Sequence, residues 1–233
     1  IKNPYVGSKR ELLIDIVKFL DENKIDFNSV LDLFSGSCYF SMMMKILGKK
    51  VFSNDILLSS FFYAKAFIEN DTEIITKEEA IYLLKNKSKC IVPVVTGTLK
   101  RRFTKKEIDF IDNFFGNVYD LFENNEIKMA LACSSLQLFI IKHCFIGGRL
   151  NNGQIIAELD HRLNHDRNKK LEMNFNKIKW YTFNVGSDQK NVVSQHDAIF
   201  LCEEIKPVVD LVYLDPPYGG AQSDYETMYS IFE

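Results

Sequence analysis

Ten residues near the end of the 233-residue chain, LVYLDPPYGG from Leu211 to Gly220, gather the side chains best suited to chemistry. An apolar run of strand type stops at Asp215, and two prolines, an aromatic ring and two glycines follow. Pro216 and Pro217 lack an amide hydrogen and restrict the backbone, so strand pairing cannot pass through them. The Asp215 carboxylate and the Tyr218 ring are therefore expected on a stiff turn at a strand's carboxyl end. That edge is where ligands bind in open α/β sheets. Such a turn offers a fixed hydrogen-bond acceptor beside a stacking surface.

A second constellation lies far upstream. Ser29 to Phe34 (SVLDLF) reads as a short apolar strand containing Asp32, and it runs directly into Ser35-Gly36-Ser37-Cys38. The hydrophobic segment Tyr39 to Leu47 then predicts a helix. Strand, small-residue turn and helix open a Rossmann-like nucleotide site, in which small residues let the backbone approach a ligand. No Walker lysine follows the turn, which argues against a P-loop. Lys50 to Ser53 predicts a second strand ending at Asn54-Asp55, about 20 residues after the turn, where ribose hydroxyls are commonly held. Asp55 is the candidate for that bond, with capping of the apolar helix Leu57 to Ile68 as its other role.

The elements that must carry these residues are legible in outline. Leu12, Leu13, Ile16, Val17 and Leu20 recur at helical spacing, with Ser8 as the expected N-cap. In Val192 to Phe200, the polar pair His196-Asp197 closes a short apolar segment just before a helix, and Asp197 suits the N-cap. Between these pieces the charge changes sign. Thr98 to Lys190 holds 15 Lys and Arg against 11 Asp and Glu, while the remainder holds 14 against 20, in a chain of net charge −2. A mildly basic middle inserted in an acidic frame is suited to a polyanion. It opens on Lys100-Arg101-Arg102 and continues in helical patterns through Ile108 to Phe115 and Ile127 to Phe145. Gly147 to Ile156 follows, where Asn152-Gly153 predicts a hairpin carrying Arg149 and Asn151. Further basic residues and Trp180, Tyr181 and Phe183 come after.

Composition removes several classes. With 46% hydrophobic residues the chain builds a full core, and at this length it forms one large domain or one domain with an insertion. No apolar run reaches the roughly 20 residues that span a bilayer, and no signal peptide is read at the start. Five scattered cysteines without a CxxC pair suit reduced thiols in the cytosol. His161 and His165 stand four apart among charged neighbours, without the further ligands of a zinc motif, and read as a solvated face.

Taken in order, Tyr5-Val6-Gly7-Ser8-Lys9, then Asp32, Phe34 and Gly36, then Asp215-Pro216-Pro217-Tyr218 after a long insertion resemble the YxGSK, DxFxGxG and DPPY motifs of the alpha-group (D12 class, Dam-like) DNA adenine-N6 methyltransferases. Cys38 departs from the pattern, which has glycine there. Because cysteine tolerates positive φ poorly, the turn is expected to differ or donor binding to weaken. The resemblance implies an α/β, Rossmann-like fold dependent on S-adenosylmethionine, with a mostly helical and hairpin target-recognition insertion. Residues 1–97 and 191–233 would form the catalytic domain, with further strands expected after the proline turn, and residues 98–190 the insertion.

The resemblance also implies roles. Asp215, Pro216, Pro217 and Tyr218 would be catalytic. The donor would be held by Tyr5 and Lys9 (the latter near its carboxylate), by Asp32 at its amino-acid portion and by Phe34 and Gly36 at the turn. Asp55 would take its ribose, Asp197 its adenine N6, and Ala198 a neighbouring backbone contact. Lys100, Arg101, Arg102, Arg149 and Asn151 would face double-stranded DNA. No metal is expected. The enzyme would be a cytoplasmic, nucleoid-associated monomer or weak dimer, paired with a cognate restriction endonuclease. An RNA adenine-N6 methyltransferase uses the same motifs, although the long insertion favours DNA. A non-catalytic nucleic-acid-binding subunit draws support from Cys38 alone.

Overall fold

The computed structural model describes residues 9–91, 93–95, 103–144, 173–183, 185, 188–205 and 207–217. These divide into two compact units, one made of the described residues of 5–73 and 182–217, the other of those of 74–181.

The first unit opens with a 3-10 turn, Arg10–Leu12, that continues as α1 (Leu13–Glu22). The cap position of that turn is Lys9, which makes no side-chain cap bond; Ser8, the expected cap, lies outside the described residues. After it come β1 (Ser29–Asp32), α2 (Tyr39–Ile46), β2 (Lys50–Asn54) and α3 (Leu58–Ala64), which runs on as a π-helical turn over Lys65–Glu69. The unit closes with β3 (Val192–Ser194), α7 (Ala198–Phe200, prolonged by a π-helical turn over Leu201–Ile205) and β4 (Leu211–Tyr213).

All strand neighbours are parallel, in the order β3-β2-β1-β4. The apolar strand residues explain this, since parallel strands are covered on their faces by crossover helices. Val30 and Val51 are wholly buried, and Leu31, Leu33 and Leu201 cluster against Phe34, Phe52, Ala198 and Val209. Register is pinned at the strands' amino ends by polar groups. Asp210 Oδ2 accepts from Asn28 N (2.9 Å), Ser29 N (2.8 Å) and Ser29 Oγ (2.9 Å), locking β4 against β1. Those bonds hold the Asp210 carboxyl below its usual range. Asn191 Oδ1 accepts from Val51 N at 2.9 Å and does the same for β3.

A buried cation braces the crossover. The Lys45 side chain is fully buried, and its Nζ donates to Ile68 O (2.8 Å) and Asn70 O (2.7 Å) and lies 2.9 Å from Asp71 Oδ1. The amphipathic stem spans apolar packing while the ammonium satisfies carbonyls at the end of the π turn.

The second unit is helical: α4 (Lys77–Lys85), α5 (Lys105–Phe122), α6 (Glu126–Cys144) and a 3-10 turn, Phe175–Lys177. Capping boxes start α4 (Thr76 with Glu79) and α5 (Thr104 with Glu107), each satisfying two otherwise orphaned amides. Glu107 Oε1 also accepts from Met173 N at 2.9 Å. Phe110 stacks on Phe175 with centroids 3.9 Å apart, and Trp180 lies parallel to the buried Phe114 at 6.3 Å, so these aromatics build core. Gly116 lets α5 approach the preceding loop: a Cβ there would stand 2.1 Å from Cys90 O. No helix among the described residues is long and apolar enough to cross a membrane.

Two substitutions test this architecture by urea denaturation. Lys45→Met is expected to cost about 2–4 kcal/mol, because buried carbonyls lose their donor. Gly116→Ala is expected to cost about 1–3 kcal/mol through displacement of the 88–90 backbone.

Candidate active site

Strand order alone locates a site. The chain moves from β1 outward to β2 and β3, then returns with β4 to the other side of β1. Such a reversal opens a crevice beyond the carboxyl ends of the two strands at the switch point. Asp32 is directly opposite Tyr213 in register, and Leu33 N donates to Tyr213 O at 3.3 Å. The bend after Phe34 and the proline turn after Leu214 therefore leave the sheet side by side. Phe40 of α2 stacks on Tyr213 at 3.8 Å and 13°, fixing the end of β4.

The bend is a network of small residues. Ser35 N donates to Asn54 O (2.9 Å) and Cys38 N to Ser35 O (2.7 Å), while Gly36 sits at φ 46°. Cys38, at the position where the motif has glycine, adopts the left-handed conformation (φ 59°, ψ 15°) that favours glycine. Its buried Sγ lies 3.7 Å from Gly36 O and 3.9 Å from Ser60 O. Burial pushes that thiol well above its usual range, so it behaves as packing rather than as a nucleophile.

Three carboxylates converge here with different surroundings. Asp32 is 1% exposed, and the Ser41 hydroxyl donates to its Oδ2 at 2.7 Å. Its Oδ1 is buried and makes no hydrogen bond. Burial, followed by repulsion from Asp55 and Asp215, pushes its carboxyl up to about 7, although the Ser41 bond pulls the other way. Asp55 braces the bend: its Oδ2 accepts from Gly36 N (2.7 Å) and its Oδ1 from Leu57 N (3.0 Å). The cap position of α3 belongs to Leu57, so Asp55 supports the helix start from two residues outside it. Asp215 lies beyond β4, with Lys9 Nζ 2.7 Å from its Oδ2 and both side chains mostly shielded (22% and 18% exposed). Pro216 and Pro217 are exposed beside it.

Farther along the same edge, Asp197 caps α7, its Oδ1 accepting from Ile199 N (2.9 Å) and Phe200 N (3.2 Å), and Ala198 begins that helix. What holds this loop escaped the sequence reading. Asn54, 1% exposed at the end of β2, uses its whole amide: Nδ2 donates to Leu33 O (3.2 Å) and His196 O (3.0 Å), and Oδ1 accepts from Ser194 Oγ (2.8 Å) and His196 N (3.1 Å). A buried amide ending an apolar strand was the available signal, since such a group persists only when bonded.

The structure thus brings Lys9, Asp32, Phe34, Gly36, Asp55, Asp197, Ala198, Asp215, Pro216 and Pro217 to one sheet edge of one unit. Tyr5, Tyr218, Lys100, Arg101, Arg102, Arg149 and Asn151 lie outside the described residues, as do His161, His165 and residues 147–156, where a hairpin is expected.

Residues 5–232 match the family model of the D12 class N6 adenine-specific DNA methyltransferases. The chain is 26% identical, across an alignment of 247 positions, to the Type II methyltransferase M2.HphI of Haemophilus parahaemolyticus; the match takes in 98% of this chain and 69% of that protein. It is 27% identical across 249 positions to the Type II methyltransferase M.FokI of Planomicrobium okeanokoites, covering 98% of this chain and 36% of that protein. No solved structure matches the chain.

The dry Asp32 makes stability depend on pH. Its carboxyl moves from an ordinary 3.8 to about 7 on folding. Below the lower value both states hold the proton. Between the two, only the folded state keeps it, so the contribution of up to about 4 kcal/mol shrinks as pH rises through that window. Urea denaturation of the ligand-free protein across the window is expected to show this decline, and Asp32→Asn to flatten it. Equal slopes for the two proteins would show that Asp32 is ionised throughout.

Proposed function

This chain belongs to the D12 class of N6 adenine-specific DNA methyltransferases, and on that premise we propose that it transfers a methyl group from S-adenosylmethionine to N6 of an adenine flipped out of duplex DNA, within a restriction-modification system. One observation carries the reading. The acid of the proline turn stands at the carboxyl end of β4, next to the small-residue bend that ends β1, across the switch point of the sheet.

The residues present fit the donor. Asp32 Oδ1 is an orphaned acceptor in a buried setting, suited to a cationic amine. Gly36 and its small neighbours leave room for close backbone approach, and Asp55 sits under the bend where ribose hydroxyls would lie. Asp197 keeps its second oxygen for an adenine amine while its first caps α7, with Ala198 beside it. Phe34 at the bend adds to the lining, and the motif resemblance assigns Tyr5 to it as well. When bound, S-adenosylmethionine supplies the methyl group on a sulfonium that needs no metal to leave.

The chain's own task is to make a poor nucleophile reactive. The lone pair of an adenine amine is delocalised into the ring. The Asp215 carboxylate and the Pro216 carbonyl accept its two N–H bonds and favour a tetrahedral nitrogen. Because the prolines stiffen the backbone that carries both acceptors, little backbone reorganisation is required during reaction. Extruding the base costs a few kcal/mol, and stacking on Tyr218 offsets about 1–3 kcal/mol of it.

Residues 98–190 serve as the target-recognition region, with Lys100, Arg101, Arg102, Arg149 and Asn151 contacting DNA by phosphate and groove interactions. The protein works in the cytoplasm at the nucleoid, as a monomer or weak dimer, beside a cognate endonuclease.

Tritiated-methyl transfer to duplex DNA, set against ribosomal RNA, tests the reading. Asp215→Ala is expected to lower transfer by about 10³-fold or more, the scale of losing a preorganised polar contact. Isothermal titration should find donor binding retained. Near-normal turnover in that variant would remove Asp215 from the mechanism.

A further inference from the structure

We infer that Asn54 is the positioning residue for recognition of the donor's adenine, its side-chain amide setting where Asp197 meets the N6 amine. The inference rests on the methyltransferase reading above, in which Asp197 takes that amine, and deepens it by naming what holds Asp197 in place.

The need arises from where Asp197 sits. β3 is a three-residue strand, and its pairing with β2 ends at Asn54 and Ser194. Asp197 follows on a loop that has left the ladder, and the helix it caps is too short to anchor it. The Asn54 side chain extends the sheet past that point. Its Oδ1 accepts from His196 N (3.1 Å) and its Nδ2 donates to His196 O (3.0 Å). The amide thus engages both backbone groups of the residue just before Asp197 and stands in for a missing rung of the ladder. Nδ2 also donates to Leu33 O (3.2 Å) at the end of β1, and Oδ1 accepts from Ser194 Oγ (2.8 Å). One planar group therefore ties the Asp197 loop to the start of the small-residue bend.

Only one orientation of the amide satisfies these partners. Turned over, it would set a donor against His196 N and an oxygen against the carbonyls of Leu33 and His196. The group is buried, so water offers no substitute for a lost bond. Other contacts of the loop are longer or exposed: Asp55 N reaches Ser194 O at 3.4 Å, and the exposed Gln195 Nε2 reaches Ile56 O at 3.1 Å. Strand register is secured separately, by Asn191 Oδ1 on Val51 N near the other end of β3. The bonds from Asn54 to His196 act beyond the ladder, on the loop that presents Asp197.

The experiment titrates two ligands: S-adenosylmethionine, and an analogue whose purine carries hydrogen in place of the N6 amine. The proteins are wild type, Asn54→Ala, Asp197→Ala and the double variant. Wild type is expected to prefer the amine by about tenfold, the scale of one hydrogen bond to a carboxylate. Asn54→Ala should cut the preference to less than about twofold, and adding it to Asp197→Ala should change the preference no further, as for residues that act as one unit. A purely structural Asn54 would weaken both ligands alike and leave the preference intact. That result, or additive losses of preference in the double variant, would overturn the inference. If Asn54→Ala does not fold, Ser194→Ala removes one bond to the same amide and should lower the preference by about twofold. An unchanged preference in that variant would be equally fatal. Wild type that binds both ligands equally would take Asp197 off the adenine, and this role with it, whereas wild type that binds neither would sink the methyltransferase reading itself.

Discussion

β4 is only three residues long, and the site depends on how it lies against β1. Asp215 stands two residues beyond a register that pairs Asp32 with Tyr213. Because side chains alternate faces along a strand, a slip of one residue would send Tyr213 away from Phe40 and move the acid away from the bend. Short strands hold register weakly by backbone bonds alone. Here Asp210 secures the amino end with three accepted hydrogen bonds, and the Phe40–Tyr213 stack secures the other.

At the carboxyl edge the carboxylates are differentiated by what bonds them. Asp32 is dry, with one oxygen engaged by Ser41 and the other unbonded. Asp55 is spent on backbone amides, so that its role is first to shape the bend and only then to meet a ligand. Asp215 is held by an ammonium. Anions placed this close are tolerated because each has a distinct compensation: burial that favours protonation, donated amides, or a counter-charge. The Asn54 amide connects the pieces, reaching the end of β1 and the loop after β3 from one buried side chain.

Cys38 takes up a left-handed backbone without the freedom of glycine. A left-handed non-glycine residue costs roughly 1–2 kcal/mol. The hydrogen bond from Cys38 N to Ser35 O and the wholly buried thiol hold it in place. A small side chain can meet the left-handed backbone at this bend once its thiol has a pocket.

The sequence by itself determined the parts whose physics is local. Apolar runs marked β1, β2 and β4; small residues marked the bend; prolines marked the end of a strand; and Asp197 declared itself a cap by its position before a helix. Those signals act within a few residues, where sterics and hydrogen bonding of the backbone suffice. Only the tertiary structure decided that β4 returns beside β1, that Lys9 meets Asp215, that Asn54 ties the edge together and that burial pushes the Asp32 carboxyl up to about 7. Each of those joins groups from distant parts of the chain, except the last, which depends on complete burial. Contact and desolvation are properties of the packed molecule, and no spacing of residues along the chain encodes them locally.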